Sequence, residues 1–200
     1  GGETPLMTAA RTGKSDAVKA LLAHKADVNA KEGEGQTALM WAAAEGNTEA
    51  VKMLLEFGAD TKAVSNGGFT PLLFAVREGR LDTVKALIQA HANPNEIIGR
   101  SKASAFRIKN YTIAGTGPLL LAVENAHFEL ASYLLDAGAD PNGSSRGWTA
   151  LHAITWVRKP GTGSNDPAPI GSGNMDSIAL VKKLVAKGAK RPSSSLRPIL

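Results

Sequence analysis

Apolar residues along this chain fall into pairs of short helical stripes that recur at a fixed interval. Leu39, Ala42 and Ala43 follow the i, i+3, i+4 spacing of one helix face, and residues 51–55 carry a second stripe. Gly46 separates the two stripes, and glycine adopts the left-handed conformation that ends a helix. The pattern therefore predicts two short amphipathic helices joined by a turn, neither of which could bury its apolar face alone.

This two-helix unit recurs along most of the chain. The residues that start the first helix of the first three units are spaced 33 residues apart. Each is a threonine followed by proline or alanine, a pair that suits the cap and first turn of a helix. A step of two apolar residues marks the second helix of each unit, before a small turn. The predicted first-helix starts are Thr4, Thr37, Thr70, Gly117 and Thr149, and the apolar steps are Leu21-Leu22, Leu54-Leu55, Leu87-Ile88, Leu134-Leu135 and Leu184-Val185.

These motifs resemble the ankyrin repeat family, and the resemblance covers roughly Glu3 to Lys190. It implies an all-α solenoid of stacked helix-turn-helix units with hairpin-like turns, forming one domain over residues 1–200. The expected repeats are approximately 3–31, 32–64, 65–95, 115–142 and 144–190. Members of this family mostly mediate protein–protein contacts through turn tips and inner helices, and they share no catalytic residues. The resemblance also implies that His152, in a Thr-Ala-Leu-His motif, braces a turn by hydrogen bonds.

Two insertions and a tail depart from the repeat. Residues 96–114 lengthen the spacing between units three and four to 47 residues, and they bring Arg107 and Tyr111 among other basic and aromatic residues. This segment is interpreted either as a contact loop or as a tolerated surface insertion. Residues 158–174 are rich in proline, glycine and serine and are expected to form a loop without binding chemistry. Residues 191–200 are expected to be a tail or partial cap.

Residue types that the fold does not dictate identify candidate partner-binding positions. Trp41 and Phe74 share one helix position with Leu121, and this set could form an apolar ladder on the inner face or serve packing between repeats. Phe69 and Trp148 each precede a helix start, where a solvated turn would carry a polar residue. The predicted partner-binding residues are Trp41, Phe69, Phe74, Arg77, Trp148, Trp156, Arg107 and Tyr111.

Three turns lack the glycine that the pattern expects. Lys25 and His91 stand where Gly58 and Gly138 end second helices, and Ala126 stands where a glycine ends the first helix. A residue with a side chain in the left-handed conformation costs about 1 kcal/mol. Repeats one, three and four are therefore expected to be locally softer.

Composition narrows the function classes. The chain has no cysteine, which excludes disulfides, thiol nucleophiles and cysteine-ligated metals. Its four histidines form no HxxxH pair, so neither a metal site nor a cofactor is predicted, and the chain is expected not to be an enzyme. No apolar run is long enough for a membrane helix. The formal net charge is +5, with acidic residues concentrated in 32–60 and basic ones in 177–200.

The leading hypothesis is a scaffold that binds another protein on its turn-tip and inner-helix face, without a cofactor. An alternative is a structural module that stacks on its own copies or on flanking repeats, because Leu6, Val18, Leu21 and Leu22 in the first repeat resemble interior residues. Binding of nucleic acid through the basic segments is the least favoured partner class, and it would show a steep dependence on salt. Nothing in the sequence indicates a compartment.

Overall fold

The computed structural model describes residues 2–99, 114–145, 147–157 and 172–190. These residues contain ten helices and one two-stranded sheet, which confirms the predicted all-α fold class. The chain divides into two compact units, and the predicted domain over residues 1–200 with its repeat bounds stays a prediction. Unit 1 comprises Gly1–Asn93 and Ile98–Ala114, and unit 2 comprises Pro94–Ile97 and Gly115–Leu200.

Unit 1 contains three helix pairs packed side by side. The first helices of successive pairs contact one another, and so do the second helices, so that two helical layers enclose the core. Val51, Leu54 and Leu72 are completely buried in it. The helices are α1 (Pro5–Arg11), α2 (Ser15–Ala23), α3 (Ala38–Glu45), α4 (Thr48–Glu56), α5 (Pro71–Arg77) and α6 (Leu81–Gln89).

Threonine caps begin the first helix of each pair, as the sequence predicts. The hydroxyl oxygens of Thr4, Thr37 and Thr70 each accept the backbone N–H of the residue three positions later, at distances from 3.2 to 3.4 Å. Each bond satisfies one amide that the first helical turn leaves without a backbone partner. The three inner helices of unit 1 therefore begin at equivalent places and present equivalent positions on one face.

Hairpin-like turns precede α3 and α5 and are tied together by backbone contacts. The N–H of Asn66 donates to the carbonyl of Glu34 at 2.8 Å, and the N–H of Gly99 donates to the carbonyl of Gly68 at 2.9 Å. Gly68 has a φ of +84°, and a Cβ on it would lie 2.3 Å from the Gly99 oxygen. This close backbone approach accounts for glycine at position 68.

Unit 2 contains two helix pairs and a minimal hairpin. Its elements are α7 (Pro118–Glu124), α8 (Phe128–Asp136), β1 (Ser144–Ser145), β2 (Trp148–Thr149), α9 (Ala150–Val157) and α10 (Ser177–Ala186). Helix α7 packs against α8 and α9, and α10 packs against α8 and α9. Lys183 and Lys187 of α10 bind the Asp136 carboxylate at 2.5 and 3.1 Å, and these hydrogen bonds, led by that of Lys183, lower the pKa of Asp136.

The turns without glycine adopt the predicted left-handed conformation. Lys25, His91 and Ala126 have φ values of 61°, 64° and 59°. They are the non-glycine residues with positive φ among the described residues. The prediction of their conformation is confirmed, and the expected local softening of their repeats stays a prediction.

The insertions lie mostly outside the described residues. Of 158–174, the structure describes residues 172–174, where the N–H of Ser172 donates to the Nδ1 of buried His127 at 3.1 Å. The N–H of Asn174 donates to the Glu129 carboxylate at 2.9 Å. The end of this insertion is thus bound to the α8 start.

Candidate functional site

Phe69, Phe74 and Arg77 form one cluster on the inner-helix side of unit 1, which we call the platform. The two phenyl ring centroids are 5.3 Å apart, and the Arg77 guanidinium carbon lies 5.2 Å from each of them. Both rings are buried, with 4% and 8% of their surface exposed. The Arg77 side chain retains 41% exposure. The platform therefore presents a guanidinium to solvent over an aromatic base.

The local sequence explains why these three side chains meet. Thr70 caps α5, so Phe69 is the residue before the cap and Phe74 is the fourth helical residue, and side chains at these two positions commonly pack together. Arg77 lies three residues after Phe74 on the same helix and so shares its face. The Ser65 hydroxyl accepts the Phe69 N–H at 3.1 Å and fixes the turn that delivers the first ring.

A second arginine–aromatic contact lies in the same unit. The Arg11 guanidinium carbon at the end of α1 is 5.3 Å from the ring centre of Trp41 in α3. Trp41 is partly exposed, and its indole Nε1 is buried without a hydrogen-bond partner among the described residues. The packing of α1 on α3 and the overlying Arg11 hold this ring. Arg11 was not predicted as a site residue from the sequence, although it stands at the same repeat position as Arg77.

Acidic side chains accompany both arginines. Glu3 Oε1 lies 3.1 Å from a terminal nitrogen of Arg11, and Glu78 Oε1 lies 2.8 Å from the Nε of Arg77. All four side chains are about 40% exposed, so each pair contributes little to the free energy of folding. These pairs orient the guanidinium groups, each of which carries its N–H donors in a fixed planar fork that suits a carboxylate.

The aromatic candidate in unit 2 has a different environment. The half-exposed Trp148 ring centre is 5.7 Å from that of His152. The N–H of Thr149 donates to His152 Nδ1 at 3.1 Å, which confirms the predicted bracing of this turn by His152. Trp148 itself lies in β2, paired with Ser145 of β1. The indole is thus held on a hydrogen-bonded turn.

Glu124 occupies in α7 the repeat position that Arg77 occupies in α5. Burial raises the pKa of the Glu124 carboxyl to about 7, because desolvation disfavours the charged form. The sequence shows this position to be variable among the repeats, but Glu124 was not among the predicted site residues. Variation in charge at one position of otherwise equivalent helices indicates that the fold does not determine it.

The structure brings together only some of the predicted site residues. Phe69, Phe74 and Arg77 are in mutual contact, and Trp41 belongs to the same unit. Trp148 belongs to unit 2. Leu121, the third member of the proposed ladder, is buried, which favours the packing interpretation there. Arg107, Tyr111 and the side chain of Trp156 lie outside the described residues, so their roles stay predictions.

The described part of the chain contains neither a metal-binding cluster nor a membrane-spanning helix. Residues 2–99, 114–145, 147–157 and 172–190 contain no group of three or more histidine, aspartate or glutamate side chains arranged to hold a metal ion. None of the helices in those ranges is both long and apolar enough to cross a membrane.

Comparison with known families identifies the chain. A family model described as ankyrin repeats in three copies matches residues 6–98, and a single ankyrin repeat model matches residues 115–145. The chain belongs to the ankyrin repeat family. Members of this family are generally protein–protein interaction modules and typically not enzymes. No curated protein matches this chain at a significant level.

Proposed function

We propose that this chain binds a partner protein through unit 1, on the surface formed by the platform and the Arg11–Trp41 contact. The observation that carries the proposal is the position of Arg77, whose guanidinium lies over two buried phenyl rings while remaining exposed. Arginine and aromatic residues contribute most of the binding energy in many protein interfaces. Family membership supports a protein as the partner.

Preorganisation supports the same surface. An isolated surface arginine loses side-chain entropy when a partner immobilises it, by roughly 0.5–1.5 kcal/mol. Arg77 is already restricted by the two rings and by Glu78, and Arg11 by Trp41 and Glu3. The buried phenyl rings then act as a base for the guanidinium instead of inserting into the partner. Binding would therefore depend on the planar group of Arg77 more than on its charge.

The remaining predicted residues are proposed as secondary contacts. Trp148 supports this role because its indole is partly exposed at a turn braced by His152. Trp156, Arg107 and Tyr111 keep the role proposed from their sequence positions.

The experiment compares two variants, each of which removes a positively charged side chain of similar exposure. Arg77 and Lys85 side chains are 41% and 42% exposed, and each pairs with a neighbouring carboxylate, but Lys85 lies on the second-layer helix α6. Proteins crosslinked to the intact chain in extract of its source cells would be identified, and the affinity of a purified candidate would be measured by calorimetry. Arg77→Ala is expected to raise the Kd roughly 30-fold, and Lys85→Ala less than twofold.

Arg77→Lys separates the planar group from the charge. Because lysine keeps the charge but cannot stack a planar guanidinium on the rings, its Kd is expected to fall closer to that of Arg77→Ala than to that of the intact chain. Equal affinities of the Arg77→Ala and Lys85→Ala variants for a verified partner would refute this placement of the binding surface.

A further inference from the structure

The last helix of unit 2 exposes two apolar side chains at positions that are buried or only partly exposed in the earlier helices. Ile178 and Val185 of α10 are 50% and 58% exposed. In α8 the residue equivalent to Val185 is Leu135, which is only 3% exposed. Together with Lys182 on the same helix, Ile178 and Val185 define what we call the rear face.

The first helix pair of unit 1 exposes the opposite side of a repeat. Ala17 of α2 is exposed, whereas the equivalent Ala50 and Thr83 are each 1% exposed. Pro5 of α1 is also exposed, whereas the equivalent Pro71 is buried. Pro5, Asp16 and Ala17 define the front face.

The joints inside unit 1 show how two such faces mate. Thr48, at the position of Ile178, contacts Thr83, at the position of Ala17, with 2.9 Å between their hydroxyl oxygens. Thr83 is buried in this joint. By the same correspondence, the large Ile178 side chain of a rear face would lie against the small Ala17 of a front face.

The charged residues of the two faces also correspond to charged residues at the internal joint. Lys52 of α4 is attracted first by Glu49 of its own helix and also by Asp82 of the next repeat, and both carboxylates raise its pKa. Lys182 of the rear face occupies the Lys52 position, and Asp16 of the front face occupies the Asp82 position. Both Lys182 and Asp16 are exposed. Lys182 of one copy would therefore face Asp16 of another, as Lys52 faces Asp82 at the internal joint.

We propose that the rear face of one copy of this chain docks on the front face of a second copy, head to tail. Ile178 and Val185 would lie on the α2 surface around Ala17, and Lys182 would pair with Asp16. Each face belongs to a single unit, and neither includes a residue of the platform. A head-to-tail contact uses two different surfaces, so that association continues beyond a dimer unless the array closes into a ring.

Complementary blocked variants test this contact. Val185→Glu blocks the rear face and leaves the front face intact, and Ala17→Glu does the reverse. Sedimentation equilibrium from about 5 to about 500 µM covers the affinities expected for a contact of this limited size. The intact chain should gain mass with concentration, each variant alone should stay at 20.8 kDa, and their equimolar mixture should reach twice that mass and no more. Phe57→Glu, at an exposed apolar residue outside both faces, should associate like the intact chain.

Two results would overturn the proposal. One is an intact chain that remains monomeric at every concentration, and the other is an associating chain whose blocked variants do not form a dimer when mixed. A charge exchange gives a further check, since Lys182→Asp should weaken association and Lys182→Asp with Asp16→Lys should restore it. A purely apolar or differently placed contact would show no such rescue.

A thiol probe tests whether the rear face is covered by a second copy or by another segment of the same chain. Because the chain contains no cysteine, Val185→Cys introduces the only thiol. Its rate of reaction with a disulfide reagent should be fast in dilute solution and should decrease as concentration rises. Protection that is independent of concentration would instead assign the face to residues 191–200 of the same chain and overturn the proposal.

Discussion

Gly68→Ala tests whether the close approach of two backbones stabilises unit 1. An alanine Cβ at this position would lie 2.3 Å from the Gly99 oxygen and 2.8 Å from the Gly99 carbonyl carbon. An ordinary van der Waals contact between these atoms is roughly 1 Å longer. Because the obstructing atoms belong to the Gly99 backbone, the chain segments at Gly68 and Gly99 must separate. The hydrogen bond from the Gly99 N–H to the Gly68 carbonyl at 2.9 Å would be strained or lost.

The expected loss follows from three contributions. A side chain in the left-handed conformation costs about 1 kcal/mol. The lost hydrogen bond contributes about 1 kcal/mol, and the forced backbone movement at least about another 1 kcal/mol. We therefore expect Gly68→Ala to reduce the free energy of unfolding by about 3 kcal/mol. Because Phe69 follows directly, the platform should also shift.

Gly58→Ala is the matched control for this prediction. Gly58 has a φ of +83°, nearly that of Gly68, but nothing lies within 4 Å of the point that an alanine Cβ would occupy. Only the left-handed strain applies there, so the expected loss is about 1 kcal/mol. Urea denaturation followed by far-UV circular dichroism measures both variants. Equal losses in the two would refute the argument from backbone contact.

Two other predictions concern pH and the turns. The Glu124 carboxyl has an ordinary pKa of 4.5 and a folded pKa of about 7, so its contribution to stability is complete below pH 4.5 and is lost as pH rises through 7. Denaturation across this window should show a loss of at most about 3 kcal/mol, which Glu124→Gln should remove. Asn29→Ala removes a bond to the Gly58 carbonyl at 3.2 Å and one from the Asp60 N–H at 2.9 Å, and it should cost about 1 kcal/mol and speed hydrogen exchange at that N–H.

Each of these predictions has a control. Glu45→Gln, which removes an exposed carboxyl, is the matched control for Glu124→Gln. An unchanged pH dependence in Glu124→Gln would contradict the assignment. Gln89→Ala, on the exposed surface of α6, should change neither stability nor exchange at the Asp60 N–H. A similar loss from Gln89→Ala and Asn29→Ala would show that the bridging bonds contribute nothing.

The sequence predicted the local elements well because their causes are local. A threonine cap acts on an amide three residues away, and the stripe of apolar residues acts within one helix. The left-handed residues Lys25, His91 and Ala126 were predicted from the same short-range pattern, since they stand where equivalent turns have glycine. The His152 brace, which the family resemblance implied, likewise spans only three residues.

The candidate site was only partly predictable. Packing of Phe69 on Phe74 could have been predicted from their positions on either side of the Thr70 cap, which would have indicated buried rings. The sequence suggested instead a contact residue at a turn. The pairing of Arg11 with Trp41 joins two different repeats, and the matching positions of Arg11 and Arg77 were its only sequence signal.

By itself, the sequence determined that this chain folds as ankyrin-type helix pairs, because a 33-residue period and its caps specify each pair through short-range interactions. Tertiary structure alone decided that the phenyl rings lie beneath Arg77, that Trp41 receives Arg11, and that Gly68 touches Gly99. These contacts depend on the distance between neighbouring turns and helices. That distance is set by packing between repeats, which no single repeat's sequence contains.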